Sequence, residues 1–108
     1  MKTLFYTREF PPYVYGGAGV HVEYLAAELS KLMHVDVRCF GDQDSKEGNL
    51  TVKGFPYENP IFNHSEDKLK AIFKALSTGL HMNADPIDAD IVHCHTWYSH
   101  FAGIMAKL

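Results

Sequence analysis

A loop containing three glycines is the part of this sequence best suited to binding a ligand. Gly16, Gly17 and Gly19 lie between an apolar run at residues 3–7 and an amphipathic run that begins near Val20. The first N–H groups of a helix have no intrahelical partner, and the helix dipole favours an anion at that end. Glycine also lets a ligand approach the main chain closely, or permits φ > 0. We expect Gly16 and Gly17 to contact a ligand; a tight turn that simply needs glycine is the alternative.

A second tract suited to chemistry is His93-Cys-His-Thr-Trp97. In a strand, His93 and His95 point to the same face, and a residue at the strand's carboxyl end faces the crevice where ligands bind in α/β sheets. His-x-His also occurs in metal sites, but no third ligand has a clear spacing to this pair. We expect His93 to be satisfied inside the core. His95, with Thr96, should reach a sugar hydroxyl or a phosphate.

Two further side chains lie near these tracts. His21 falls in the first turn of the first helix, off its predicted apolar stripe, and should be exposed either to ligand or only to water. Arg8, just past the first strand, suits an anion contact or a surface ion pair equally well. The loop does not match a dinucleotide fingerprint, because Val22 stands where the third glycine belongs, and no P-loop is present.

Alternating strands and helices must position these residues. Strands are predicted at 3–7, 35–40, 50–55 and 90–95, the third of them near a sheet edge. Helices should follow Gly19, open at a capping box spanning residues 63–66, and begin near residue 98. This alternation predicts an α/β fold with parallel strands in the order 3-2-1-4, which brings the glycines and His95 to one edge. The expected apolar stripes are Val20, Tyr24, Leu25, Leu29, Leu32 and Met33; Leu69, Ile72, Phe73, Leu76 and Leu80; and Phe101, Ile104, Met105 and Leu108.

Bulk properties narrow the class of protein. The 108 residues carry a net charge of −3, which gives no generic affinity for nucleic acid or acidic membranes. No apolar run approaches the length of a membrane span, so a cytoplasmic location is expected. Cys39 and Cys94 fall in strands that a third strand separates, and both are expected to be buried free thiols. The last stripe is still apolar at Leu108, which suggests the opening part of a larger protein.

With both tracts described, the sequence resembles a known family. Residues 7–25, the run Val92-His-Cys-His-Thr-Trp-Tyr and the run Ala102-Gly-Ile-Met-Ala-Lys-Leu are similar to the amino-terminal region of bacterial glycogen synthases of the shorter, actinobacterial type. These are retaining glycosyltransferases of the GT-B fold. The resemblance implies that residues 1–108 form the first half of a Rossmann-like, acceptor-side amino-terminal domain. The donor-binding domain and the catalytic residues would lie elsewhere in the protein, so this segment alone should be inactive.

The resemblance also implies a reaction. Such enzymes move glucose from ADP-glucose or UDP-glucose to an α-1,4-glucan or a sugar phosphate in glycogen biosynthesis, without a metal ion or other cofactor. In relatives, the glycines corresponding to Gly16 and Gly17 lie beside the diphosphate and the transferred sugar, and His95, Thr96 and Trp97 border the acceptor side. Longer synthases have lysine-threonine where this chain has Val14-Tyr15, which leaves glucose 1-phosphate open as the acceptor. A non-catalytic nucleotide- or phosphate-binding module is the alternative.

Overall fold

A mostly parallel five-stranded sheet forms the centre of the chain. The computed structural model describes residues 1–56 and 67–108, with strands β1 (Lys2–Thr7), β2 (His34–Phe40), β3 (Asp44–Glu47), β4 (Leu50–Phe55) and β5 (Ile91–His95). Their order is β3-β4-β2-β1-β5, and only β3 runs antiparallel to its neighbour. The four predicted strands therefore lie in the predicted order, and the α/β, Rossmann-like fold class is confirmed.

The central strands are buried on both faces. Phe5 lies opposite Val37 in the β1–β2 register, and these two residues form one apolar cluster with Val35 and Cys39. Leu4 and Tyr6, which alternate with Phe5, belong to a second cluster on the other face. Strands covered on both faces have near-continuous apolar sequences, which is why the sequence predicted them well.

Strand β3 is the one strand that the sequence did not predict. It pairs with β4 through a two-residue turn at Gly48 and Asn49, where Gly48 has a φ of 58°. A glycine at the first position of such a turn is a hairpin signal. All four residues of β3 are exposed, so no apolar alternation marks it. β3 is therefore the edge strand, and the strand at 50–55 lies next to it, near the sheet edge as predicted.

Three helices flank the sheet. They are α1 (Gly17–Leu29), α2 (Asp67–His81) and α3 (His100–Lys107), with a 3-10 turn at Trp97–Ser99. Val22 and Ala26 of α1 join the Phe5 cluster, whereas Met82, directly after α2, and Ala102 of α3 join the Leu4 cluster. The capping box predicted at 63–66 lies outside the described residues. Within residues 1–56 and 67–108, no helix is long and apolar enough to cross a membrane.

The predicted apolar stripes form only part of the buried faces of these helices: Leu25, Leu29 and Met33 pack against the Phe5 cluster, as expected. The most deeply buried helix positions hold mainly small residues: Gly19 and Ala26, beside Val22, in α1, Ala75 in α2 and Ala102 in α3. A Cβ added to Gly79 of α2 would already lie within 3.4 Å of α3, so the backbones of these helices are close. Close approach excludes large side chains, and these remain on the outer surface. Exposed members of the predicted stripes are Val20, Tyr24, Leu32, Leu69, Ile72, Leu76, Leu80, Ile104 and Leu108.

The two cysteines lie on opposite faces of the sheet. Cys39 is buried in the Phe5 cluster, and burial raises the pKa of its thiol to about 12. Cys94 packs beside the Leu4 cluster but is only partly buried, which corrects the expectation of full burial. Both are free thiols, as predicted.

A buried polar network joins the sheet to α2 and α3. The Tyr6 hydroxyl donates to Asn83 Oδ1 at 2.6 Å, and Asn83 Nδ2 donates to the carbonyls of Gly79 and Ala102 at 3.1 and 3.0 Å. The guanidinium of Arg38, itself 9% exposed, donates to the carbonyls of Met82, Asp85 and Pro86. These bonds fix where α2 ends and how close α3 lies to it.

Replacing Asn83 with alanine should destabilise the protein by about 2–3 kcal/mol, because the buried Tyr6 hydroxyl and two helix carbonyls lose their partners. Tyr6→Phe removes the donor to Asn83 Oδ1 but keeps both amide hydrogen bonds to the helix carbonyls, so it should cost only about 1 kcal/mol. Urea unfolding measures both values. A loss for Asn83→Ala no larger than that for Tyr6→Phe would contradict this role for the amide.

Candidate functional site

The glycine loop, residues 15–19, follows β1 and leads into α1. Gly16 is extended, with φ −164° and ψ −172°, and Gly17 is the first residue of the helix. Neither glycine has a positive φ, and a Cβ built on either would meet nothing within 4 Å. Neither backbone conformation nor the described neighbours therefore requires glycine at these two positions.

A carboxylate that the sequence analysis did not single out holds this loop. Glu9 Oε1 accepts hydrogen bonds from the N–H of Tyr15 at 2.5 Å and of Gly16 at 3.1 Å. A Cβ built on Gly19 would lie 2.9 Å from Glu9 Cβ, so the Glu9 side chain runs close against the first turn of α1. No side chain caps α1 itself. The next N–H groups, at Gly17 and Ala18, therefore remain open at the positive end of the helix dipole.

Three imidazoles gather beside the loop, on the α1 face of the sheet. His93 and His95 are 4.2 Å apart between ring centroids, and His21 of α1 lies 6.3 Å from His95. Phe5 packs against His95 with its ring at 4.8 Å. His95 is 9% exposed, and its Nε2 has no hydrogen-bond partner among the described residues. His93 is exposed on the edge strand, so the expectation that it is a core histidine is wrong, whereas the shared face with His95 is confirmed.

The protonation state of His95 follows from its surroundings. Burial, then the neighbouring imidazoles of His93 and His21, lowers its pKa from 6.5 to about 4. The ring is therefore neutral at pH 7, with one nitrogen able to accept a proton and the other able to donate one. A neutral, unpaired ring nitrogen suits a hydroxyl group as its partner.

The backbone after β5 is held in a strained conformation. Thr96 has a φ of 70° and a ψ of 162°, a region that β-branched residues rarely adopt. The fully buried Ser99 hydroxyl donates to the carbonyls of His95 at 2.8 Å and Thr96 at 3.1 Å, which keeps this turn in place. Unusual backbone geometry of this kind concentrates at functional sites.

A cavity of about 380 Å³ opens on the α2 face at the same ends of the strands. The Arg8 guanidinium lies 4.3 Å from the ring centroid of Tyr98 at its wall, and Trp97 stacks on Tyr98 at 4.1 Å. Thr78 is 1% exposed, and its hydroxyl has no hydrogen-bond partner among the described residues. The residues known to line the cavity, none of them acidic, are Arg8, Tyr13, Tyr15, Phe40, Gly41, Phe55, Pro56, Ala71, Lys74, Ala75, Thr78 and Tyr98.

The structure divides the predicted site residues into two groups. His21 and His95 lie together on the α1 face, and Thr7 before the loop pairs with His95, so the loop and His95 share one edge as predicted. Arg8 belongs to the cavity and is linked to Trp97 through Tyr98. Glu9, Tyr98, Lys74 and Thr78 were not predicted from the sequence as site residues. No group of three His, Cys, Asp or Glu residues within 1–56 and 67–108 is arranged to hold a metal ion.

Comparisons with known proteins agree with this architecture. The model of Glycosyltransferase Family 4 matches residues 15–108. The chain is 40% identical to an α-maltose-1-phosphate synthase of Mycolicibacterium smegmatis over 111 residues, and 38% identical to that of Mycobacterium tuberculosis over 114 residues. Each match covers 100% of this chain and 25% of the relative. An uncharacterized glycosyltransferase of Methanocaldococcus jannaschii is 31% identical over 109 residues, covering 99% of this chain and 28% of that protein.

The chain therefore belongs to glycosyltransferase family 4, and it spans about a quarter of the length of the curated relatives it matches. This membership supports a transferase and does not favour the non-catalytic module.

Lowering the pH from 7 towards 4 should destabilise the native protein through His95. Its pKa falls from 6.5 to about 4 on folding, so between these values the unfolded chain binds a proton that the native state does not. The free energy of unfolding should decline below pH 6.5 and level off near pH 4, by about 1–2 kcal/mol after solvent screening. Urea unfolding of the wild type and His95→Asn at pH 7 and pH 4.5 measures the difference, and equal losses in both proteins would contradict it.

Proposed function

We propose that this member of glycosyltransferase family 4 is the first half of the amino-terminal, acceptor-side lobe of a retaining glucosyltransferase. The longer protein would move glucose from ADP-glucose or UDP-glucose to an acceptor of glycogen biosynthesis, and its donor-holding residues would lie in another lobe. The observation that carries the proposal is the glycine pair. Gly16 and Gly17 have neither a positive φ nor a neighbour that excludes a Cβ. Close approach of a ligand to the main chain is a physical reason for glycine that fits both observations.

At the loop, the main chain would meet the diphosphate of the donor. The N–H groups at the start of α1 have no side-chain cap, and the helix dipole adds positive potential there. As the bond to the sugar breaks, negative charge grows on the leaving diphosphate. Fixed donors aimed at that charge stabilise the transition state more than the ground state. Groups of this kind, rather than a metal ion, are what the resemblance implies.

Beside the loop, His95 would bind a sugar hydroxyl. Its ring is neutral at pH 7 and lies beside His21 of α1, and its Nε2 is buried with no partner among the described residues. A hydroxyl group can donate to or accept from such a nitrogen, whichever tautomer is present. The fixed turn at Thr96 and Ser99 would hold the ring in place while the sugar moves between donor and acceptor.

The cavity favours glucose 1-phosphate over an α-1,4-glucan as the acceptor. Arg8 and Lys74 supply two positive charges, Thr78 supplies a hydroxyl without a partner among the described residues, and none of the described lining residues is acidic. Such groups would bind a phosphate dianion through charge-assisted hydrogen bonds, whereas a neutral glucan offers them no charge to pair with. Tyr98 and Trp97 add aromatic surface beside it. The product would then be maltose 1-phosphate, in keeping with the name of the mycobacterial relatives.

In the full-length transferase, Gly17→Val should lower kcat/KM at least about tenfold, equivalent to ~1.4 kcal/mol of transition-state binding. The added side chain meets no described atom, so the melting temperature should stay within about 2 °C. Gly17→Ala, with a Cβ alone, should fall between wild type and valine. A valine variant with a lowered melting temperature and an unchanged rate per folded molecule would return this glycine to a purely structural role.

In the same protein, Lys74→Gln should raise the KM for glucose 1-phosphate by about tenfold, because one charge-assisted contact to the phosphate is lost. The rate with a maltooligosaccharide acceptor should not change. Lys107→Gln, at the exposed end of α3, removes the same charge away from the cavity and serves as the control. A preference for maltooligosaccharide in the wild type, or an equal effect of both substitutions, would overturn the sugar-phosphate assignment.

A further inference from the structure

We propose that Glu9 is a positioning residue of the transfer reaction, acting through the backbone of the glycine loop. The inference rests on the proposed function, because it concerns the loop that would meet the donor. One carboxylate oxygen, Oε1, accepts hydrogen bonds from both the N–H of Tyr15 and the N–H of Gly16. This contact, the Glu9 clasp, spans the residues immediately before α1.

The clasp is needed because the loop has few other restraints. Gly16 is exposed and extended, and Gly17 is exposed with open space around it. Two adjacent glycines have more backbone freedom than any other pair of residues, so ordering them costs conformational entropy. Without a fixed partner, the N–H groups at Gly17 and Ala18 would not be held in one direction. A bridging oxygen directly before them supplies that restraint.

The surroundings of Glu9 fit this task. Its side chain is partly buried, and the backbone of Gly19 leaves the space that the side chain occupies. A Cβ on Gly19 would come within 3.2 Å of Oε1 and 3.0 Å of Val14 Cγ1, so glycine at this position makes room for the clasp. The three glycines of the loop thus differ in role: Gly19 accommodates Glu9, whereas Gly16 and Gly17 are open to solvent.

What the clasp requires is the reach of an acceptor oxygen. Glutamine keeps that reach and an acceptor oxygen but carries no charge. Aspartate keeps the charge but is one methylene shorter, by about 1.5 Å, and cannot bridge both N–H groups from the same backbone position. The pair Glu9→Gln and Glu9→Asp therefore separates positioning from charge. A residue that acted on substrate through its charge or proton would respond in the opposite order.

The test measures donor kinetics in the full-length transferase with both variants. Glu9→Gln should keep kcat/KM within about threefold of wild type, and Glu9→Asp should lose at least about tenfold, mainly in kcat, because the loop is misplaced when the diphosphate leaves. Glu28→Gln removes one charge from the exposed side of α1 and is the control. The reverse order, or equal activity of all three variants, would overturn the proposal.

Amide hydrogen exchange supplies a readout that needs no substrate. The N–H groups of Tyr15 and Gly16 should exchange slowly in the wild type and in Glu9→Gln, and at least about tenfold faster in Glu9→Asp. Fast exchange in the wild type would refute the clasp, whatever the kinetics show. A wild type that exchanges slowly but transfers no glucose would refute the proposed function, and with it the positioning role of Glu9 in transfer, while leaving the contact itself established.

Discussion

The amide of Asn83 is the contact on which much of the remaining geometry depends. It accepts from Tyr6 in β1 and donates to one carbonyl in each of α2 and α3. Arg38 adds three bonds to the chain that leaves α2. Buried polar groups of this kind stabilise little when paired and cost much when one partner is lost. They therefore specify one arrangement of the helices more than they add to overall stability.

That arrangement sets the two halves of the candidate site. The carboxyl-terminal part of α2 carries Thr78 and Lys74 to the cavity, and the close packing of α3 against α2 sets where the chain returns after β5. The turn at Thr96 and Ser99 lies directly before α3 and holds the carbonyl of His95. The same helix packing therefore positions both the histidine group and the cavity, although they lie on opposite faces of the sheet.

The strands and the two local motifs were predictable because their signals are local. Period-two and continuous apolar runs mark buried strands, and a glycine loop after the first strand must lie at its carboxyl end. The helix faces were not predictable in the same way. An apolar stripe normally marks the buried face, but α2 packs through Ala75 and Thr78 and leaves Leu76 and Leu80 outside. The close approach of the helix backbones determines which side chains are buried. In the sequence, the only sign of that approach is the small residues at the contact.

Several site residues lacked any local signal. In the sequence, nothing distinguishes Lys74 and Thr78 from other helix residues. The fold brings them to the same cavity as Arg8, which is 66 positions earlier than Lys74. Glu9 is seven residues from its partner Gly16, and only the path of the loop brings them together. His95 was identified from its position at a strand end, whereas its depth and unpaired nitrogen come from Phe5 and α1.

The left-handed backbone at Thr96 has a consequence for evolution and engineering. Holding a non-glycine residue in that backbone conformation lowers the stability of the fold by about 1–3 kcal/mol relative to a residue that adopts it without strain. Selection for thermal stability alone would therefore drift towards glycine here and would loosen the turn that carries His95. If threonine persists at this position in a library selected for stability, the selection is also acting on activity.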